Sequence, residues 1–410
     1  MRAAARSQSL FGGISISALH SEGIMTLEEA QGRRLCLFID GTWNKDFDNT
    51  NVWRAYLMCA PSDTKGKEQI TYYTKGVGTS RLTYITGGAF GLGINEIIIS
   101  AYEWLVQNYR AKDHIFIFGF SRGAYAARSL AGLIATSGII PPGSPIGVSE
   151  LYTRYKSYNA RTVYELHDQQ AAGSLGDTTV LEKWLLEYSA LADIDMVGVY
   201  DTVGALVGPY SFLQTGLRLP LKNAYHALAI DEHRRTFKPT LYTQNLRSEG
   251  TPTAQHTLRD IGSVEQRWFV GAHANVGGGY PSDLLAQIPL EWLKQKAESH
   301  GLEFCIPLNK KDESYLAPIT NSFKEMFFGI YYYSTLGIPY YRTIGTDPAI
   351  VGDTKTVTVN ETIDASVFDR MRQLNDYRPK NVAAWAARRG IDPRLIQGSV
   401  RADNPSISVA

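Results

Sequence analysis

Ile115-Phe116-Ile117-Phe118-Gly119-Phe120-Ser121-Arg122-Gly123-Ala124-Tyr125-Ala126-Ala127 is the stretch that decides how this chain folds. Its first four residues are an uninterrupted apolar run, as a strand buried on both faces of a parallel sheet requires. Its Ala-rich end predicts a helix from Ala124 to about Thr136. Between them stands Gly119-x-Ser121-x-Gly123. A nucleophile elbow has to be built at such a junction: the serine takes a strained backbone conformation, and the glycines let strand and helix crowd against it. The helix start directs peptide N–H groups at the site, so the N–H of Arg122 is a candidate oxyanion donor. With 37 glycines in 410 residues the five-residue pattern is weak alone; its position gives it weight.

Outward from this point the strand, turn, helix pattern repeats. Leu35-Cys36-Leu37-Phe38-Ile39 predicts a buried strand ending in Asp40-Gly41-Thr42, and Ile70 to Thr74 a second. Ile94 to Tyr109 predicts a helix with Ile97, Ala101, Leu105 and Tyr109 on one face. Ile194 to Tyr200 predicts a strand that stops at Asp201, and Arg267 to Gly271 one that stops before His273. His226-Ala227-Leu228-Ala229-Ile230-Asp231-Glu232-His233-Arg234 reads as an amphipathic helix with His226 and Ile230 on one face. Alternating strands and helices give an α/β class, a doubly wound, mainly parallel sheet. Residues 141–190 open with Pro141-Pro142-Gly143 and turn helical, which suits a lid insertion. The expected division is a flexible leader over 1–32, a catalytic domain over 33–300, and an aromatic-rich extension over 301–410 packed on it.

Composition excludes several classes. Lys plus Arg is 41 against 40 for Asp plus Glu, so no electropositive field is available and nucleic acid is not expected as a partner. Cys36, Cys59 and Cys305 are odd in number and lack CxxC spacing, suggesting neither disulfides nor zinc. The eight histidines have no ligand spacing, so no metal or cofactor is expected. The N-terminal apolar stretch is too diluted by Gly and Ser for a signal peptide. No run approaches the roughly 18 apolar residues of a membrane span. The expectation is a protein cytoplasmic as synthesised, with peripheral membrane contact at most.

A serine hydroxyl needs a base, and the base needs a carboxylate. Asp201, in Tyr200-Asp201-Thr202-Val203, and His273, in Ala272-His273-Ala274-Asn275-Val276-Gly277-Gly278-Gly279, both follow predicted strands, in the order serine, acid, base. His226 is the alternative base. The second oxyanion donor is expected in Asp40-Gly41-Thr42, from Gly41 or Thr42. Asp-Gly-Thr after a strand also fits a phosphatase motif, DxDGT, but its nucleophilic Asp would fall where Phe38 stands.

These motifs, with Phe38-Ile39-Asp40-Gly41-Thr42-Trp43-Asn44 and Gly76-Val77-Gly78-Thr79, resemble the α/β-hydrolase domain family that includes type VI secretion phospholipase effectors. The resemblance covers about 33–300, with a weaker echo at Tyr377-Arg378-Pro379. It implies the α/β-hydrolase fold, Ser121, Asp201 and His273 as a triad, a lipid or other ester as substrate, and export without a signal peptide. The competing readings are a non-catalytic binding or scaffold protein on the same fold, and an acyltransferase or peptidase using the same triad. The aromatic stretch from Met326 to Tyr341 reads either as core or as a surface for acyl chains or a bilayer.

Overall fold

Successive side chains of a strand point to opposite faces, so wholly apolar strands need a layer on each side of their sheet. The computed structural model describes residues 32–41, 49–76, 93–157, 160–203, 217, 220–246, 260–281, 284–308, 312–325, 332–333, 335–345, 349–351 and 354–403. Its strands are β1 (Arg34–Ile39), β2 (Gln69–Thr74), β3 (His114–Phe120), β4 (Ile194–Tyr200), β5 (Leu221–Ala229), β6 (Thr243–Leu246), β7 (Val264–Phe269), β8 (Ala349–Val351), β9 (Thr354–Thr358), β10 (Glu361–Ile363) and β11 (Val400–Arg401). Eight form one sheet in the order β2-β1-β3-β4-β5-β7-β10-β11; β6, β9 and β8 form a small antiparallel one. In the large sheet every pairing is parallel except β10 with β11. This is the expected mainly parallel α/β sheet.

The flanking layers are α1 (Asn51–Met58), α2 (Ile94–Asn108), α3 (Arg122–Ser137), α4 (Val148–Tyr155), α5 (Val163–Ala171), α6 (Val180–Tyr188), α7 (His273–Gly277), α8 (Gln287–Ser299), α9 (Ser322–Glu325), α10 (Ala365–Gln373) and α11 (Lys380–Arg389). Leu35, Leu37 and Ile39 of β1 and Ile115 and Ile117 of β3 share one core with α2 and α3. The alternate residues Cys36, Phe38, Phe116, Phe118 and Phe120 share another with α1 and α8. All of α3 is buried; small side chains at Ala124, Ala126, Ala127 and Ala131 let it lie that deep. The helices of the 141–190 insertion bury Leu151, Tyr155, Leu166 and Leu185 in the α3 core. No described helix is long and apolar enough to cross a membrane.

Three sequence expectations need correction. The 226–234 segment is not a helix: His226 to Ala229 is the end of β5, which lies between β4 and β7. Ala and Leu favour helix locally, but hydrogen-bonding on both edges and burial on both faces override that propensity. The strand expected over Arg267–Gly271 runs over Val264–Phe269 instead, and Gly271 turns the chain at φ 112°. The helix expected from Ala124 begins at Arg122, directly after Ser121.

Candidate active site

Parallel register brings the strand ends to one edge. β3 ends at Phe120, which is in register with Tyr200 at the end of β4, so Ser121 and Asp201 leave neighbouring strands at one level. Ser121 adopts φ 58° and ψ −122°, a strained conformation for a residue with a side chain. Its backbone is fixed on both sides: its N–H donates to Tyr200 O at 3.0 Å, and its carbonyl accepts from Tyr125 N at 3.2 Å. The pattern's glycines are steric necessities. A Cβ on Gly119 would lie 2.7 Å from Ala124 Cα, and one on Gly123 2.3 Å from the carbonyl oxygens of Ile39 and Asp40.

Asp201 is fully buried and also has a positive φ, 39°. Its Oδ1 accepts the Ala229 N–H at 3.0 Å, and its Oδ2 lies 2.5 Å from His273 Nδ1. His273 opens α7, just after β7, and reaches past the end of β5 to this carboxylate. Its ring packs between Phe120 and Phe237, with centroids at 4.7 and 4.9 Å. Burial lowers the His273 pKa below the ordinary histidine value, outweighing the Asp201 bond and charge that raise it. With Nδ1 committed to Asp201, Nε2 is the nitrogen available for proton exchange. Among the described residues no hydrogen bond joins the Ser121 hydroxyl to the His273 ring.

Two residues to which the sequence assigned no role in the site complete the surroundings. Glu232 is buried and accepts from Arg234 Nε and Nη2, both at 2.7 Å, from His273 N at 3.2 Å and from Ser322 Oγ at 3.1 Å. Burial would raise its pKa, but the Arg234 guanidinium holds it down to about 2. Arg342 is buried and contacts both oxygens of Asp201. It lies in the C-terminal region, 141 residues along the chain from Asp201, which is why no local pattern points to it.

The remaining candidates are placed as follows. Arg122 is the first residue of α3, at the positive end of the helix dipole. Gly41 donates its N–H to Asp40 Oδ1 at 2.6 Å, so this donor already has an anionic partner. The Asp40 carboxylate is itself held by Thr50 Oγ1 at 2.6 Å and Tyr73 OH at 2.9 Å. Thr42 lies outside the described residues, as do 1–31, Val77-Gly78-Thr79 and Met326 to Tyr331. His226 is buried in β5, and its Nε2 accepts the Thr202 N–H at 3.0 Å. Burial, with the Arg128 charge, lowers its pKa to about 3, so it is neutral and its lone pair is engaged. The glycine run serves packing: a Cβ on Gly277 would lie 2.0 Å from the Phe120 ring, and one on Gly278 2.7 Å from Asn51 N. A cavity of about 350 Å³ is lined by Asp231, His233, Ser322, Phe323, Tyr341 and Lys380 among others.

A family model described as "T6SS, Phospholipase effector Tle1-like, catalytic domain" matches residues 33–296. The uncharacterized protein YEL023C of Saccharomyces cerevisiae is 26% identical over 322 residues, covering 68% of this chain and 45% of its own length. A solved structure of an uncharacterized protein from Pseudomonas aeruginosa is 17% identical with a TM-score of 0.42, over 68% of this chain and 48% of that one. The structure of the Tle1 effector bound to the VgrG spike of the type VI secretion system is 16% identical with a TM-score of 0.30, over 61% and 51%. The chain thus spans about half the length of these relatives.

Proposed function

The chain belongs to the Tle1-like phospholipase effector catalytic-domain family of type VI secretion, and from that membership we propose a serine hydrolase that cleaves carboxylic esters of lipids. Ser121 Oγ attacks the acyl carbonyl while His273 Nε2 takes its proton and then passes it to the leaving alcohol. Asp201 fixes the imidazole tautomer through Nδ1–H, and water, activated by the same histidine, cleaves the acyl-Ser121 ester. The N–H of Arg122 stabilises the tetrahedral oxyanion. Gly41 would join it only by leaving Asp40. His273 is the base in preference to His226, whose Nε2 is occupied. No cofactor enters this scheme.

The observation that carries this reading is the 2.5 Å Asp201–His273 Nδ1 contact at the strand end beside a serine in a strained elbow. The open link is Ser121 Oγ to Nε2, a contact that is commonly long in free enzymes and tightens with substrate. Exposed Tyr333, Leu336 and Ile338, at 77%, 85% and 69%, support peripheral contact with a lipid surface. Family membership supports export of the protein as an effector.

Ser121→Ala should lower ester turnover by about three orders of magnitude or more with the fold intact, and should abolish labelling by a fluorophosphonate. A folded Ser121→Ala protein with undiminished activity would overturn the assignment; a wild-type protein that neither labels nor hydrolyses esters or phospholipid vesicles is a scaffold.

A further inference from the structure

We infer that Arg342 is a positioning residue of this site, acting through Asp201 to fix the carboxylate that holds His273; the inference rests on the triad proposed above. A carboxylate bonded to an imidazole through one oxygen can still rotate about its Cβ–Cγ bond. Arg342 removes that freedom: Nη1 lies 2.5 Å from Oδ1 and Nη2 2.9 Å from Oδ2, so the planar guanidinium matches both oxygens. The guanidinium cannot follow a rotating partner, because Nη1 also donates to Ala229 O at 2.9 Å and Nη2 to Phe237 O at 2.6 Å. Phe237 is the residue whose ring packs on His273, so one side chain anchors both the acid and a wall of the base.

The electrostatic consequence follows from burial. Asp201 and Arg342 are 0% and 1% exposed, and a lone carboxylate in such a place would take up a proton. Burial by itself would raise the Asp201 pKa; the Arg342 charge, together with the His273 bond, holds it well below the usual carboxylate range. The pair is close to neutral, so Asp201 favours imidazolium less than an unpaired carboxylate would. The charged groups facing His273 are Asp201 just after β4, Glu232 and Arg234 after β5, and, through Asp201, Arg342; His226, bonded to Thr202, is neutral. Arg342 also lies beyond the family-matched residues 33–296, so the C-terminal region supplies part of the site's machinery.

The test is the pH profile of kcat/KM for the full chain on 4-nitrophenyl butyrate, with Arg342→Lys, Arg342→Met and Ser121→Ala in parallel. Arg342→Met should lower kcat about 100-fold with KM little changed, as expected for a base held slightly out of place. Its acid limb should move to higher pH, because the buried Asp201–His273 pair, freed of the neighbouring cation, holds a proton to higher pH. Arg342→Lys, which keeps the charge but loses the fork, should fall between the two and should fold even where the Met variant does not. Folded Arg342→Lys or Arg342→Met protein with the wild-type kcat and acid limb overturns the inference. So does a loss that tracks only the loss of folded protein with the limb unmoved. Activity that survives Ser121→Ala sinks the triad itself, a different failure from that of Arg342.

Discussion

At the residue scale, one histidine illustrates how a buried group performs a structural task by staying neutral. His226 accepts the N–H of Thr202, the residue that follows Asp201, and so shapes the turn carrying the proposed catalytic acid. Its pKa is lowered to about 3 in the fold against 6.5 in an open chain. A histidine with a depressed folded pKa contributes stability that is fully present above pH 6.5 and is lost as pH falls toward 3, because only the unfolded chain binds the proton in that window. Between pH 7 and pH 5 the cost is about 2 kcal/mol. His226→Gln keeps an acceptor for Thr202 and removes the titration. Urea unfolding at the two pH values should therefore show a smaller loss for the variant; an equal loss would mean that other groups carry the dependence. His273 behaves in the same direction for a different purpose: its lowered pKa should place the acid limb of kcat/KM below pH 6.5, which a pH–rate profile checks directly.

At the element scale, the site exists because a strand and a helix approach to atomic contact. Gly123, in the first turn of α3, faces the carbonyls at the end of β1 with no room for a methyl group. Gly123→Ala should cost about 1–3 kcal/mol by overpacking against rigid backbone and should tilt the start of α3, displacing Ser121. Gly147, which precedes α4, has open space at its Cβ and a negative φ of −78°; Gly147→Ala should stay within about 0.5 kcal/mol of wild type. Thermal melts of the two variants make the comparison, and equal melting temperatures would mean that α3 can shift without penalty. β5 shows the opposite relation between sequence and element. Its His226-Ala227-Leu228-Ala229 segment has helical propensity and becomes strand because β4 and β7 offer hydrogen-bond partners on both edges.

At the scale of the whole molecule, the C-terminal region is built into the architecture. β10 pairs with β7, and Ile363, Val367, Phe368, Met371 and Trp385 bury Leu228, Trp268 and Val270 in a third core. Trp268 Nε1 donates to Glu361 Oε2 at 2.8 Å across the same junction. A chain cut after His300 would expose that apolar surface and leave Asp201 buried without Arg342, a change worth about 3–5 kcal/mol by itself. Such a truncation should be recovered as aggregate or as protein without a cooperative melt. A soluble truncated protein that melts cooperatively would show the region to be dispensable for folding.

The sequence by itself determined what short-range pattern can carry. Continuous apolar runs marked β1 and β3, the glycines around Ser121 marked the elbow, and the serine, acid and base candidates followed in chain order at strand ends. Only the tertiary structure decided which groups meet. It placed His273 Nδ1 on Asp201, gave the Gly41 N–H to Asp40, engaged His226 with Thr202, made strand of a helix-prone segment, and brought Arg342 to Asp201 from 141 residues away. Periodicity and propensity are properties of neighbours along the chain, whereas a fork between a guanidinium and a buried carboxylate depends on neighbours in space, and those are set by the pairing of the whole sheet.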